Sequence, residues 1–262
     1  MALYQLPTGT YDVRAWFAFK GGSFRDKRRF AATAVLVRHP QGDLLIDAGF
    51  GADVAAHMRT QPWFARAPYH ATSTVNDQLD AVGYDRERLS GVLVTHAHWD
   101  HVGGLDQLRV PVWINPSELR YAAEDRDGRV FQAVSKEREI HQYQFEDKPY
   151  LGFPASYDVY GDGSVVVALA GGHTTGSVIV FVTLPTGKRY AFIGDLTWQL
   201  EGVTRLAERP LLLRKLADSD EEQVREGLRR IASFAGRMQV VPAHDLGSYE
   251  GIPLLSPGST SG

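Results

Sequence analysis

The chain has 262 residues, 44% of them hydrophobic, and a formal net charge of −3 at pH 7. That is enough apolar material for a large core, and it argues against nucleic acid or an anionic membrane as an obligatory partner. There is no cysteine, which removes thiolate-rich structural zinc and iron–sulfur clusters and fits a reducing compartment.

In chain order, the start Met1-Ala2-Leu3-Tyr4-Gln5-Leu6-Pro7 lacks the basic segment and apolar run of a secretory peptide, and no stretch of about 18 apolar residues follows. A cytoplasmic protein without a membrane span is expected. Val13 to Phe19, Ala31 to Val37 and Asp43 to Asp47 read as strands, the last two joined by a turn at His39-Pro40-Gln41-Gly42. The most basic cluster, Arg25-Asp26-Lys27-Arg28-Arg29, reads as a solvated turn. Val75 to Val82 predicts a helix ending at Gly83, Gly91 to Thr95 a buried strand, Pro111 to Ile114 another strand, and Pro116 to Ala123 the start of a helix.

Residues 122–154 mix charge with aromatics such as Phe131, Tyr143 and Phe145 and show little periodicity. An irregular insertion of this kind is expected to cap a pocket. His141 within it reads as structural or exposed. Ser164 to Leu169, Ser177 to Leu184 and Lys188 to Ile193 follow as strands, the last two a hairpin around Pro185-Thr186-Gly187. Ser219 and Glu222 form a capping-box pattern opening a helix through about Phe234, with Val224, Leu228 and Ile231 at helical spacing. Met238 to Val241 makes a short strand before His244. We expect a single domain over residues 1–255 and a disordered, linker-like tail over 256–262.

The densest chemistry lies in Thr95-His96-Ala97-His98-Trp99-Asp100-His101, between the apolar run Gly91-Val92-Leu93-Val94 and Gly103-Gly104. A buried strand ending in a loop is a rigid platform for ligands. His96 and His98, one residue apart, can converge on one ion, while Asp100 and His101 beyond the bend can reach a second. Five of the nine histidines (His96, His98, His101, His173, His244) lie at strand ends beside Gly, Asp or Thr, a concentration that core packing does not require. Imidazoles and carboxylates suit zinc, iron, manganese or cobalt.

Read in order, Leu44-Leu45-Ile46-Asp47-Ala48-Gly49, His96-x-His98-x-Asp100-His101, Gly172-His173-Thr174, Gly194-Asp195 and Pro242-Ala243-His244-Asp245 resemble the five motifs of the metallo-β-lactamase superfamily. The resemblance implies an α/β fold, an αββα sandwich of two mixed sheets flanked by helices. It also implies two divalent metal ions, zinc first, with His96, His98 and His173 on one, Asp100, His101 and His244 on the other, and Asp195 bridging them. Asp47 would fix the tautomer of a ligating imidazole.

Asp195 at the bridging position is similar to binuclear hydrolases rather than to the β-lactamases proper. Asp47-Ala48-Gly49-Phe50, the step from His173 to Asp195, and His244-Asp245 are similar to the N-acyl-homoserine lactonases. This branch implies a small-molecule lactone or ester substrate, a homodimer, and a metal-bridging hydroxide as nucleophile, with Asp100 passing a proton to the leaving alkoxide. One position departs: lactonases carry a tyrosine three residues after the bridging aspartate, and this chain has Trp198. An indole N–H donates a hydrogen bond but is no acid. Tyr249, five positions after His244, is the candidate replacement. The same dimetal site would also serve a phosphodiesterase, a phosphotriesterase or a glyoxalase II-like thioesterase. A flavin-linked di-iron oxidoreductase is a further alternative, disfavoured by the histidine-rich first ligand set.

Overall fold

The computed structural model describes residues 1–63 and 65–260. Strand β1 (Ala2–Arg14) pairs antiparallel with β2 (Lys27–Arg38) along its whole length, from Ala2 opposite Arg38 to Arg14 opposite Lys27. β3 (Asp43–Ile46) returns antiparallel on β2 after the turn at Gly42. β4 (Tyr69–Ala71) adds to the other side of β1. β5 (Leu89–Leu93), β6 (Val112–Ile114) and β7 (Ile140–Gln142) extend the sheet from β3 as parallel strands. The order is β4-β1-β2-β3-β5-β6-β7.

In the second sheet, β8 (Ser156–Asp158), β9 (Val165–Leu169), β10 (Val178–Thr183) and β11 (Arg189–Phe192) form an antiparallel meander, and β12 (Gln239–Val241) lies parallel to β11. Alternation along the strands explains the layering. In β10, Val178, Val180 and Val182 point between the sheets, where they meet Val35, Val37 and Ile46 of the first sheet. Ile179 and Phe181 point outwards onto Val224, Leu228, Ile231 and Phe234 of the helix Glu221–Phe234. The outer face of the first sheet is covered in the same way by Val54 and Met58 of the helix Val54–Thr60 and by Val75 and Leu79 of the helix Val75–Ala81. Two mixed sheets thus stack with helices on both outer faces.

Strand β1 differs from the strand predicted at Val13 to Phe19: it occupies Ala2–Arg14, and Ala15–Ala18 forms a helical turn. Pro7 and Gly9 lie within β1 where the register against β2 shifts, so the alternation that marks a strand is broken although the pairing continues. Within 122–154, Phe131 of the helix Arg129–Ser135 packs into the helix-side core of the first sheet, and Tyr143 lies between the sheets. His141 stands on β7 against the ring of Trp113 at 4.0 Å. Pro257–Thr260 forms a 3-10 turn, with the Ser259 carbonyl accepting from Arg38; residues 261–262 of the tail expected to lack structure lie outside the described residues. Among the described residues no helix is long and apolar enough to cross a membrane.

Candidate metal centre

The C-terminal ends of β3, β5, β9, β11 and β12 deliver their following loops to one rim. After β5, Thr95 is pinned by Asp47: its backbone N–H donates to Oδ1 and its hydroxyl to Oδ2, each at 2.8 Å. Asp47 has φ of 57°, in the left-handed region that Asp tolerates better than most residues. His98 opens the helical turn Trp99–Val102, which carries Asp100 and His101. His173 follows Gly171 and Gly172 at φ of 62° and 86°. A Cβ on Gly172 would fall 2.7 Å from the Val224 nitrogen, so glycine is what lets this loop lie against the helix Glu221–Phe234. Asp195 follows Gly194, and His244 follows β12 directly through Pro242-Ala243.

The seven candidate ligands converge as two adjoining groups, His96, His98, His173 and Asp195 in one and Asp100, His101 and His244 in the other, each with its ligand atoms within 4.8 Å of one another. Asp195 faces both. Its Oδ1 lies 3.0 Å from His244 Nε2 and 3.2 Å from His101 Nε2; its Oδ2 lies 3.5 Å from His173 Nε2 and 3.8 Å from His96 Nε2. Facing nitrogens approach closely, His98 Nδ1 to His173 Nε2 at 3.1 Å and His101 Nε2 to His244 Nε2 at 3.4 Å.

Each imidazole is oriented from behind. His101 Nδ1 is 2.8 Å from Asp47 Oδ2, His173 Nδ1 is 3.1 Å from Asp218 Oδ1, and His244 Nδ1 is 2.7 Å from the Ala31 carbonyl. Those oxygens only accept, so in the neutral ring the proton sits on Nδ1 and the Nε2 lone pair faces inwards. His98 is reversed: Tyr121 holds Nε2 at 3.0 Å, and Nδ1 faces inwards. His96 Nε2 and Asp195 Oδ1 are buried without a hydrogen-bond partner among the described residues. His244 and His101 are near enough to Asp195 Oδ1 to count as ion pairs but are not aligned as donors. Orphaned buried acceptors facing a cluster of imidazoles fit divalent cations.

Burial, followed by the neighbouring imidazoles, pushes His96 and His98 well below the usual histidine range, so both are neutral and ready to donate electrons. Burial works in the same direction on His101 and His244, but the carboxylates around them together overcome it, Asp195 and Asp47 at His101 and Asp195 and Asp100 at His244, and hold both above that range. Asp195 is kept well below the usual carboxylate range despite its burial, chiefly by His244 and His101.

Trp198, three residues after Asp195, donates its indole N–H to Asp195 Oδ2 at 2.6 Å. Tyr249 is not brought to the candidate centre. Its hydroxyl donates to the Ala243 carbonyl at 3.0 Å, and its ring belongs to the core between the sheets.

Four residues without a sequence signal complete the surroundings. Tyr11 of β1 donates to Asp100 Oδ2 at 2.9 Å. Asp218 orients His173 and is paired with the buried Arg209 at 2.7 Å. Arg209 also donates to the Asp195 carbonyl and lies 4.3 Å over the Trp198 ring. Glu118, fully buried, accepts from Ala97 N at 2.7 Å, Thr174 Oγ1 at 2.6 Å and Gly176 N at 3.1 Å, tying the His96–His98 loop to the His173 loop. Burial raises its carboxyl to about 7 against those hydrogen bonds.

Above the centre opens a cavity of about 240 Å³. Tyr11, Asp100, His173 and Asp195 form its polar floor, and Phe17, Met58, Leu213 and Trp198 are among its apolar walls.

The family described as the metallo-beta-lactamase superfamily matches residues 28–244. The chain is similar to the N-acyl homoserine lactonase AttM of Rhizobium johnstonii, 27% identical over 218 residues that cover 80% of each protein. Among solved structures, an N-acyl homoserine lactone hydrolase with the product N-hexanoyl-L-homoserine at its catalytic metal center aligns with a TM-score of 0.75 at 16% identity, over 97% of this chain and 98% of that one. AidC, a dizinc quorum-quenching lactonase in complex with a product, aligns with a TM-score of 0.64 at 15% identity, over 93% of this chain and 87% of that one. At such identities the structural likeness shows the fold.

Proposed function

The chain belongs to the metallo-beta-lactamase superfamily and is a hydrolase of that family, and from this premise we propose that it is a binuclear enzyme opening lactones or cleaving carboxylic esters, with N-acyl-homoserine lactones as the substrate class. The observation that carries the reading is a pair of adjoining ligand groups sharing Asp195 at the floor of an apolar-walled cavity. His96, His98 and His173 would hold one ion and Asp100, His101 and His244 the other, with Asp195 between them. Two zinc ions, or iron, manganese or cobalt in their place, would supply a hydroxide near neutral pH and polarise the substrate carbonyl.

The chain's own residues do the rest. Asp47, Asp218 and the Ala31 carbonyl hold three imidazoles in one tautomer. Trp198 holds Asp195 Oδ2 in place. Asp100, at the cavity floor, takes the proton that the attacking water releases and returns it to the leaving oxygen. Phe17, Met58, Leu213 and Leu216 offer an acyl chain a surface to bury.

Charge ranks the alternatives. Among the described residues no Lys or Arg lines the cavity, and the nearby Arg209 is turned to Asp218 and the Asp195 carbonyl. A phosphodiester anion therefore finds less there than a neutral lactone does. The test is turnover of lactones, thioesters and phosphoesters by one metal-reconstituted preparation. A preference of about 100-fold for lactones, near 3 kcal/mol of transition-state binding, is expected; an equal or greater rate on an aryl phosphodiester reverses the order.

A further inference from the structure

Tyr11 supplies the one hydroxyl lining the cavity among the described residues. It stands on β1 between Phe30 of β2 and Tyr69 of β4. Its ring is held edge-on to Phe30 at 5.4 Å and lies 5.9 Å from Trp99. The phenol oxygen is 2.9 Å from Asp100 Oδ2 and 3.4 Å from each ring nitrogen of His244. The packed ring is fixed, while the O–H can swing between acceptors near the ring plane.

Three other donors nearby are committed elsewhere. The Trp198 indole N–H serves Asp195 Oδ2, the Tyr249 hydroxyl serves the Ala243 carbonyl, and the Tyr121 hydroxyl lies behind the His98 ring. Asp100 is the residue that returns a proton to the leaving oxygen, so that oxygen must come within hydrogen-bond reach of Asp100. An oxygen placed at Asp100 Oδ2 is also beside Tyr11, whose hydroxyl already touches that atom.

We propose that Tyr11 is a catalytic residue whose hydroxyl donates a hydrogen bond to the ring oxygen of a lactone, or the alcohol oxygen of an ester, as its bond to the carbonyl carbon breaks. This rests on the lactone and ester reading above. The water oxygen forms the new bond to the carbonyl carbon. The carbon–oxygen bond to the leaving oxygen breaks with its electron pair on that oxygen. The leaving oxygen ends with the proton that Asp100 took from the water, and Tyr11 keeps its own proton throughout. A donor aimed at charge that develops only in the transition state raises kcat rather than binding.

The test compares the metal-loaded protein with its Tyr11→Phe variant on a lactone and on the para-nitrophenyl ester of the same acyl group, whose phenolate leaves without help. The lactone kcat is expected to fall by about 100-fold with KM little changed. The loss on the aryl ester should be at least ten times smaller, on the order of tenfold or less, and bound metal should stay the same. Equal losses on both substrates, or loss of metal, would mean that Tyr11 only orients Asp100 and would overturn the proposal. A binding measurement decides it without turnover. By calorimetry the wild type should bind N-hexanoyl-L-homoserine about tenfold more tightly than N-hexanoyl-aminobutyrate, which lacks the hydroxyl, and Tyr11→Phe should reduce that ratio to about threefold or less, Asp100 still accepting from the hydroxyl. A wild type that hydrolyses neither ester sinks the lactone reading, and a wild type that binds the two ligands equally sinks the role of Tyr11.

Discussion

Strand β3 has a buried aspartate at its first residue and another just past its last, and the two ends use them differently. At the start, Asp43 accepts from the Tyr84 hydroxyl at 2.7 Å and the His39 N–H at 3.0 Å, and pairs with Arg88 at 3.2 Å and Arg38 at 3.3 Å. The protein itself satisfies both oxygens of that carboxylate, and the atom left without a partner beside it, Arg88 Nε, is a donor and no metal ligand. Past the other end, Asp47 is equally well served by Thr95 and His101, but the chain of contacts continues through His101 to Asp195 and stops at orphaned atoms, Asp195 Oδ1 and His96 Nε2. A buried polar atom without a partner costs about 1–3 kcal/mol. Between these two ends, density of buried charge does not separate scaffold from site; buried acceptors left without a partner do.

Breaking the open end should have the larger effect. His98→Ala, or exhaustive chelation, is expected to release metal and lower turnover by on the order of a thousandfold or more, followed by metal analysis beside the rate. Activity surviving in metal-free protein would contradict the hydrolytic reading. Asp43→Ala at the closed end should lower stability by about 3 kcal/mol, because Tyr84 and Arg38 lose a buried partner. Denaturant unfolding would read the loss, with metal content unchanged. If metal is lost as well, the two ends are not independent.

Asp218→Asn sharpens the contrast, since it leaves every candidate ligand in place but weakens the group behind His173. Metal affinity should drop by about 10- to 100-fold, seen by competition with a chromogenic chelator. Tyr249→Phe should have the smallest effect. It removes one hydrogen bond to the Ala243 carbonyl, worth about 1 kcal/mol, and thermal unfolding should register it while kcat stays within about twofold.

Much of the architecture could be read because it is local. β9, β10 and β11 are continuous apolar runs bounded by turns, and the helix Glu221–Phe234 shows its buried stripe at Val224, Leu228 and Ile231. Its cap was nearly placed: Asp220, rather than Ser219, accepts from Glu222 N and Gln223 N. β1 escaped because Pro7 and Gly9 interrupt its pattern, although twelve residues of β2 hold it in place.

The seven candidate ligands were legible for a related reason: imidazole and carboxylate carry their chemistry in the residue type, and each follows a strand within a short motif. Of their supporters, Asp47 was legible through its own motif, and Tyr11, Asp218, Arg209 and Glu118 were not. Tyr11 reaches His244 across 233 positions, and Glu118 reaches Thr174 across 56. The sequence by itself determined which side chains could bind a metal, since that property needs no neighbour. Which nitrogen faces inwards and which phenol meets the cavity were decided only by the tertiary structure, because hydrogen bonds act over about 3 Å of space and take no account of distance along the chain.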